Sequence, residues 1–282
     1  MAQLEGVDVS HHNGVIQWKK AKDAGISFAL IKATQGISFV DPKAQTNRAG
    51  CHAAGIVPGM YHFYRHDVDP VAQAAYFLQH IGQMQPGELP PAIDVEGPGD
   101  GAGPITYPKT EVVNRVGEFV RSVRKAIGRA PLIYTYPSTW KEITGNSNAF
   151  SDSYPLWIAS YGVPQPKLIG GWTKYTFWQY TDQGTVSGIG SGVDRDRFNG
   201  DMNDLKAFMI GELATSGKAV LSQDANVRQA PGLTSSVAKV LPRGTDLTII
   251  EGPRVVNARE WWKVDDGAGT IGWCSDKVLT PT

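Results

Sequence analysis

Phe28-Ala29-Leu30-Ile31-Lys32-Ala33-Thr34, a stretch of helical spacing over 41–54 opened by Asp41-Pro42, and then Val57-Pro58-Gly59-Met60-Tyr61-His62-Phe63-Tyr64 decide the fold. Two apolar runs flank a segment of helical spacing, and the Asp-Pro pair suits a helix start. Strands so joined run parallel, because a helical crossover returns the chain to the same end of the sheet. The unit recurs in both directions along the chain. Upstream, a strand over 7–10 leads into a helix over 16–24; downstream, a helix over 70–82 leads to a strand over 92–96 and a long helix over 109–127. Further strands are expected over 132–136, 156–160, 175–181 and 193–197, with a last helix over 202–210. About eight β/α units predict an α/β fold, a (β/α)8-like barrel with some later helices short or missing. An open doubly wound sheet is the structural alternative.

Past Gly211 the helical periodicity stops. Residues 212–219 read as a small-residue linker, and 220–282 as short β-type runs separated by turn residues, a small all-β module. The domains expected are therefore 1–211 and 220–282. The 282 residues carry 27 basic and 27 acidic side chains. Residues 211–282 hold eight of each, so neither part reads as a polyanion binder and no nucleic-acid partner is expected. No run is long and apolar enough for a membrane span, and the first residues lack the basic and apolar regions of a signal peptide. Cys51 and Cys274 stand alone, without a Cys-x-x-Cys, and no His-Glu-x-x-His or phosphate loop occurs. No cofactor and no metal site is expected.

In a β/α barrel chemistry gathers at the C-terminal ends of the strands. Asp8, Asp94, Glu96 and Asp194 sit in or beside apolar runs, where an unpaired carboxylate is costly to bury; Asp196 lies in the last strand as well. Asp94 and Glu96, two apart on a strand, share a side at about 6.6 Å from two rises of the chain. Like charges so close raise one member's pKa, and a protonated acid beside an ionised partner is what glycosidic cleavage requires. Glu96, outermost and longer, is assigned the proton; Asp94 is expected to be the ionised partner. A structural carboxylate pair is the competing reading of Asp-x-Glu alone. Tyr61, Phe63, Tyr134, Tyr136, Trp157, Tyr161, Trp178 and Tyr180 fall in or just past strands, where aromatic faces suit sugar rings or fill a barrel core. Gly97 to Gly103 forms a glycine-rich loop bordering the same place.

The ordered series Gly6-Val7-Asp8-Val9-Ser10, Ile31-Lys32-Ala33-Thr34, Gly59-Met60-Tyr61-His62-Phe63, Asp94-Val95-Glu96, Trp178-Gln179-Tyr180 and Val193-Asp194-Arg195-Asp196-Arg197-Phe198 resembles glycoside hydrolase family 25, the Chalaropsis-type lysozymes. Gln35 departs from the family's usual glutamate. The resemblance covers residues 1 to about 210 and implies an irregular barrel that hydrolyses the β-1,4 bond between N-acetylmuramic acid and N-acetylglucosamine in bacterial peptidoglycan, with retention. It implies Glu96 as general acid, Asp94 as the group that steadies the reacting centre or orients the acetamido group, and Asp8 and Asp194 as further cleft acids. Lys32, Tyr61, Phe63, Tyr134, Trp157, Trp178 and Tyr180 are the substrate-binding residues it implies. The tail, with Ala225-Asn226-Val227-Arg228, Leu241-Pro242-Arg243-Gly244-Thr245 and Gly272-Trp273-Cys274, resembles a bacterial SH3-type (SH3b) module that binds wall peptides. A monomeric lysin of phage or prophage, made in the host cytoplasm and acting on the wall, is the setting these resemblances imply. The alternatives are a non-catalytic wall binder, and a chitinase or N-acetylglucosaminidase on the same barrel.

Overall fold

A computed structural model describes residues 3–189, 192–210, 217–256 and 259–281. The chain forms two compact units, Met1–Ile210 and Gly211–Thr282. In the first, β1 (Leu4–Val9), β2 (Ile26–Gln35), the short β3 (Phe39–Val40), β4 (Val57–Phe63), β5 (Ala92–Asp94), β6 (Leu132–Thr135), β7 (Leu156–Ala159), β8 (Phe177–Gly184) and β9 (Val193–Phe198) make one sheet. Its order is β1-β9-β8-β7-β6-β5-β4-β2-β3, and β1 also pairs with β2. That last pairing closes the sheet into an eight-stranded barrel, with β3 folded back on β2 as a two-residue flap. The open-sheet alternative is thereby excluded.

Helices α1 (Trp18–Asp23), α2 (Ala44–Ala54), α3 (Pro70–Ile81), α4 (Lys109–Ile127), α5 (Pro137–Thr144) and α6 (Met202–Phe208) follow strands. α4 buries Val112, Val116, Phe119, Val120 and Val123, a single stripe at helical spacing, and stops at Gly128 with φ 76°. At the head of α3, Asp69 accepts from the Ala72 amide and Pro70 fills the first turn. The strands are covered on both faces, as parallel strands under crossover helices must be. Outward residues such as Ala29, Ile31, Met60, Ile93, Ile133 and Ile158 pack under the helices; Phe28, Leu30, Ala92, Leu132, Trp157, Phe177 and Phe198 fill the interior.

One strand departs from the expected eight parallel units. β9 runs antiparallel to both β8 and β1. Residues 185–192 leave too short a connection for a helical crossover, which needs a dozen or more, so the chain can only turn back as a hairpin. Residues 190 and 191 of that connection lie outside the described ones. The turn reverses the geometry: the start of β9, not its end, lies at the C-terminal rim of the parallel strands.

The second unit is a seven-stranded antiparallel sheet built from β10 (Gly217–Leu221), β11 (Ala225–Arg228), β12 (Val237–Leu241), β13 (Asp246–Val256), β14 (Arg259–Asp265), β15 (Ile271–Ser275) and β16 (Leu279–Pro281). Register shifts in β13 bend it around a core of Leu221, Val227, Leu247, Ile249, Val264 and Cys274. Of the expected linker, residues 212–216 lie outside the described ones, and Gly217 already begins β10. Both cysteines are free and buried.

Candidate active site

The carboxyl groups converge on the rim of the barrel. Asp8 on β1 stands opposite Asp194 on β9, and Gly6 stands opposite Asp196, so strand alternation turns Asp8, Asp194 and Asp196 to the same inner face. Asp196 is fully buried, and its Oδ1 accepts a hydrogen bond of 2.7 Å from Trp157 Nε1. Asp94 ends β5, with Phe63 on one side and Tyr134 on the other. Glu96 follows two residues later and lines a cavity of about 410 Å³ with Asp100, Tyr134, Tyr136, Ser138 and Tyr161. A larger hollow of about 520 Å³ lies around Trp172, Tyr175 and Phe198 and contains none of the five rim carboxyls.

Burial governs the titration of this rim. It pushes Glu96 up to about 7, with the charge of Asp100 adding to the rise and Lys32 opposing it. Asp194 is pushed up to about 8 by burial and by Asp8, and Asp196 to about 7 by burial. Asp8 is raised as well, by burial and then by Asp196. Asp94 is deeper than Glu96, and burial together with the Glu96 charge raises it well above the usual carboxylate range. Burial is thus the largest influence on both members of the pair. Asp94 Oδ1 is buried and has no hydrogen-bond partner among the described residues.

Lys32 on β2 reaches the same rim. Its Nζ donates to Gln35 Oε1 at 2.9 Å and lies 4.5 Å from the Phe63 ring centre. Burial lowers its pKa, while Asp94, Asp41 and Glu96 pull it back up. Tyr61 and Tyr134 are buried in the field of the same acids. Trp157 is beneath them rather than in the cleft: it is 1% exposed, 4.5 Å from the Tyr134 ring and edge-on to Tyr61.

Trp178 and Tyr180 are not brought to the site. β8 alternates, so Phe177 and Gln179 point inward while Trp178 and Tyr180 point outward. Trp178 Nε1 donates to the Ser160 carbonyl, and the Tyr180 hydroxyl donates to Glu5 at 2.6 Å. Arg197 lies 4.1 Å over the Tyr180 ring, which completes an outer-surface cluster.

What lies between those two aromatics is instead part of the site. Gln179 Oε1 accepts from the hydroxyls of Tyr134 (2.8 Å) and Tyr161 (2.6 Å). Two donors on the oxygen fix the amide, so Nε2 donates to Asp8 Oδ2 at 2.7 Å. Gln179 and Asp196 were not among the sequence-derived site residues. Their partners come from distant strands, and the one available signal was a polar residue within the aromatic run of β8.

The elevated acids also set the stability. A carboxyl whose folded pKa exceeds its unfolded value binds more protons folded than unfolded, so stability falls as pH rises through that window. Glu96, Asp194 and Asp196 place the window between about pH 4 and pH 8. The stability of the first unit is expected to fall between pH 5 and pH 9 by at least about 1 kcal/mol, which lowers its thermal midpoint by roughly 2–4 °C. Calorimetry at the two pH values checks this, and a midpoint that rises would contradict it.

Comparison with known proteins bears directly on this rim. Residues 7–189 match the glycosyl hydrolases family 25, and residues 223–280 match the bacterial SH3 domain. Lysozyme M1 of Streptomyces globisporus is 36% identical over 208 residues, covering 73% of this chain and 71% of its own. The N,O-diacetylmuramidase of Chalaropsis sp is 32% identical over 216 residues, covering 74% of this chain and 100% of its own. The crystal structure of a bacterial lysozyme from Streptomyces coelicolor superimposes with a TM-score of 0.70 at 35% identity, covering 74% of this chain and 97% of its own. With the closed barrel, the acids on its rim and a family match spanning most of the first unit, the chain belongs to glycosyl hydrolases family 25.

Proposed function

We propose that the barrel hydrolyses the β-1,4 bond between N-acetylmuramic acid and N-acetylglucosamine in peptidoglycan, with Glu96 as the proton donor. One observation carries this reading: in a family 25 chain, Glu96 lines a tyrosine-walled cavity beside Asp94 and is pushed up to about 7. Below that pH Glu96 holds the proton that the leaving sugar oxygen takes as the glycosidic C–O bond breaks. The buried, unpartnered Asp94 Oδ1 fits the N–H of the muramic acid acetamido group. An N–H donor there favours the ionised aspartate, and the oriented acetamido oxygen covers the anomeric carbon from the face opposite the leaving group. Water then adds to that carbon, returning its proton to Glu96, and configuration is retained. Asp8 and Asp194 hold sugar and charge, with Asp8 oriented by Gln179. Lys32, Tyr61, Phe63 and Tyr134 contact the glycan, and Trp157 braces them from below.

Reducing-end analysis of digested walls tests this reading. New muramic acid ends are expected. New N-acetylglucosamine ends would instead indicate a glucosaminidase, and no product at all a non-catalytic binder.

All of these side chains come from one barrel, which supports action as a monomer. The bacterial SH3 unit holds the wall by its peptides, and a glycan-cutting unit joined to a wall-holding unit fits a lysin of phage or prophage released from the host cytoplasm. Removing residues 211–282 is expected to leave cleavage of soluble muroglycan fragments unchanged while slowing lysis of whole walls at least about tenfold, since tethering raises the local substrate concentration. Equal rates on both substrates would remove the anchoring role.

A further inference from the structure

The loop after Glu96 is pinned along its length, although its glycines would permit disorder. His66 Nε2 donates to the Glu96 carbonyl at 2.8 Å, so its proton is on that nitrogen. The His66 amide donates to the Ala102 carbonyl at 2.7 Å, and Arg65 Nη1 to the Gly101 carbonyl at 3.2 Å. Gly101 and Gly103, at φ 88° and 80°, supply the left-handed conformations that this path needs. At its apex is Asp100. Its Oδ2 accepts from the Gly97 amide at 3.2 Å and from the Tyr136 hydroxyl, which arrives from the end of β6 on the far side of the cavity. The buried Gly97 is also hemmed in by Asp100 and Thr139, so a side chain there would push the seat apart.

We propose that Asp100 is a positioning residue for the acid: seated by the Tyr136 hydroxyl and the Gly97 amide, it keeps a second negative charge on the cavity wall beside Glu96. The proposal rests on the reading of Glu96 as the proton donor. Several charged or titratable groups face Glu96: Asp94 from β5, Lys32 from β2, Asp194 from β9, Tyr61 from β4, and Tyr134 and Tyr136 from β6 and its end. Burial is the largest influence on Glu96, and Asp100 is next, ahead of Asp94, Lys32 and Asp194. Asp94 and Lys32 oppose the rise, and Asp100 adds to the larger effect of burial against both. The seat matters because Asp100 is exposed: an unanchored carboxylate would swing into water, where its charge is screened.

The test compares Asp100→Asn with the full-length wild-type chain by ¹³C titration of glutamate carboxyls, with the Glu96 signal assigned through Glu96→Gln. Asparagine still accepts from Tyr136 and Gly97 but carries no charge. The Glu96 midpoint is expected to fall by roughly half a unit or more, and the difference to narrow at high salt. Tyr136→Phe keeps both carboxyls and removes the seat; a smaller fall in the same direction is expected, and this variant gives the readout independently should Asp100→Asn fold poorly. A Glu96 midpoint unchanged in both variants overturns the proposal. The basic limb of the pH–rate profile should move with the midpoint. A wild-type chain that cleaves no glycan, with the titration shift intact, would defeat the functional reading and leave the positioning role standing.

Discussion

Glu96→Gln is expected to lower turnover on peptidoglycan by about 10²–10⁴-fold, the range that one general acid supplies, with little change in fold. Glutamine keeps the length and shape of the side chain but has no proton to give to the leaving oxygen. Glu96 is also only partly buried, and its pKa is raised by burial rather than lowered by a stabilising ion pair. The folded state therefore loses no strong contact. Near-normal turnover on purified walls would remove Glu96 from the mechanism. A collapse of the thermal midpoint together with activity would mean that the side chain is structural, which is the bland reading of the Asp-Val-Glu sequence.

Asp94→Asn is expected to cost about 10²-fold or more in turnover, a typical loss when a buried electrostatic group is removed from a reacting centre. Sequence reasoning alone expects relief of like-charge repulsion, and with it a lower pKa for Glu96. In the structure burial raises both carboxyls, and the charge of Glu96 adds to the rise at Asp94, so the two titrate as a coupled pair. Turnover should fall, and the basic limb of kcat/KM should report one titrating carboxyl of the pair rather than two. A limb unchanged in shape would show that the two carboxyls titrate independently, and unchanged turnover would show that Asp94 orients nothing. The unpartnered Oδ1 predicts the same variant's substrate dependence: substrates lacking the acetamido N–H should distinguish wild type from Asp94→Asn poorly.

The pattern of apolar runs made most of the barrel legible, because strands covered on both faces leave few polar interruptions, and α4 begins and ends where its stripe and Gly128 say it should. The reversed β9 was legible too, in principle, from the eight-residue gap before it. α5 escaped notice because eight residues show barely two turns of periodicity, although Pro137 and Gly145 mark its ends. In the site, the rim acids announced themselves as carboxylates in apolar surroundings. The aromatics did not, since Tyr61 and Tyr134 differ from Trp178 and Tyr180 only in which face of the strand they occupy, and that parity is set by register with neighbouring strands. Asp196 and Gln179 depend on Trp157, Tyr134, Tyr161 and Asp8, partners that only closure of the barrel brings within reach.

The most direct test of a half-buried, proton-bearing Glu96 is the pH dependence of kcat/KM for the full-length protein on a soluble muroglycan fragment between pH 4 and pH 9. A basic limb centred near pH 7 is expected, as Glu96 gives up its proton. A rate that stays flat through pH 8, or one that already declines around pH 4 to 5 as an ordinary solvated glutamate would dictate, contradicts the assignment.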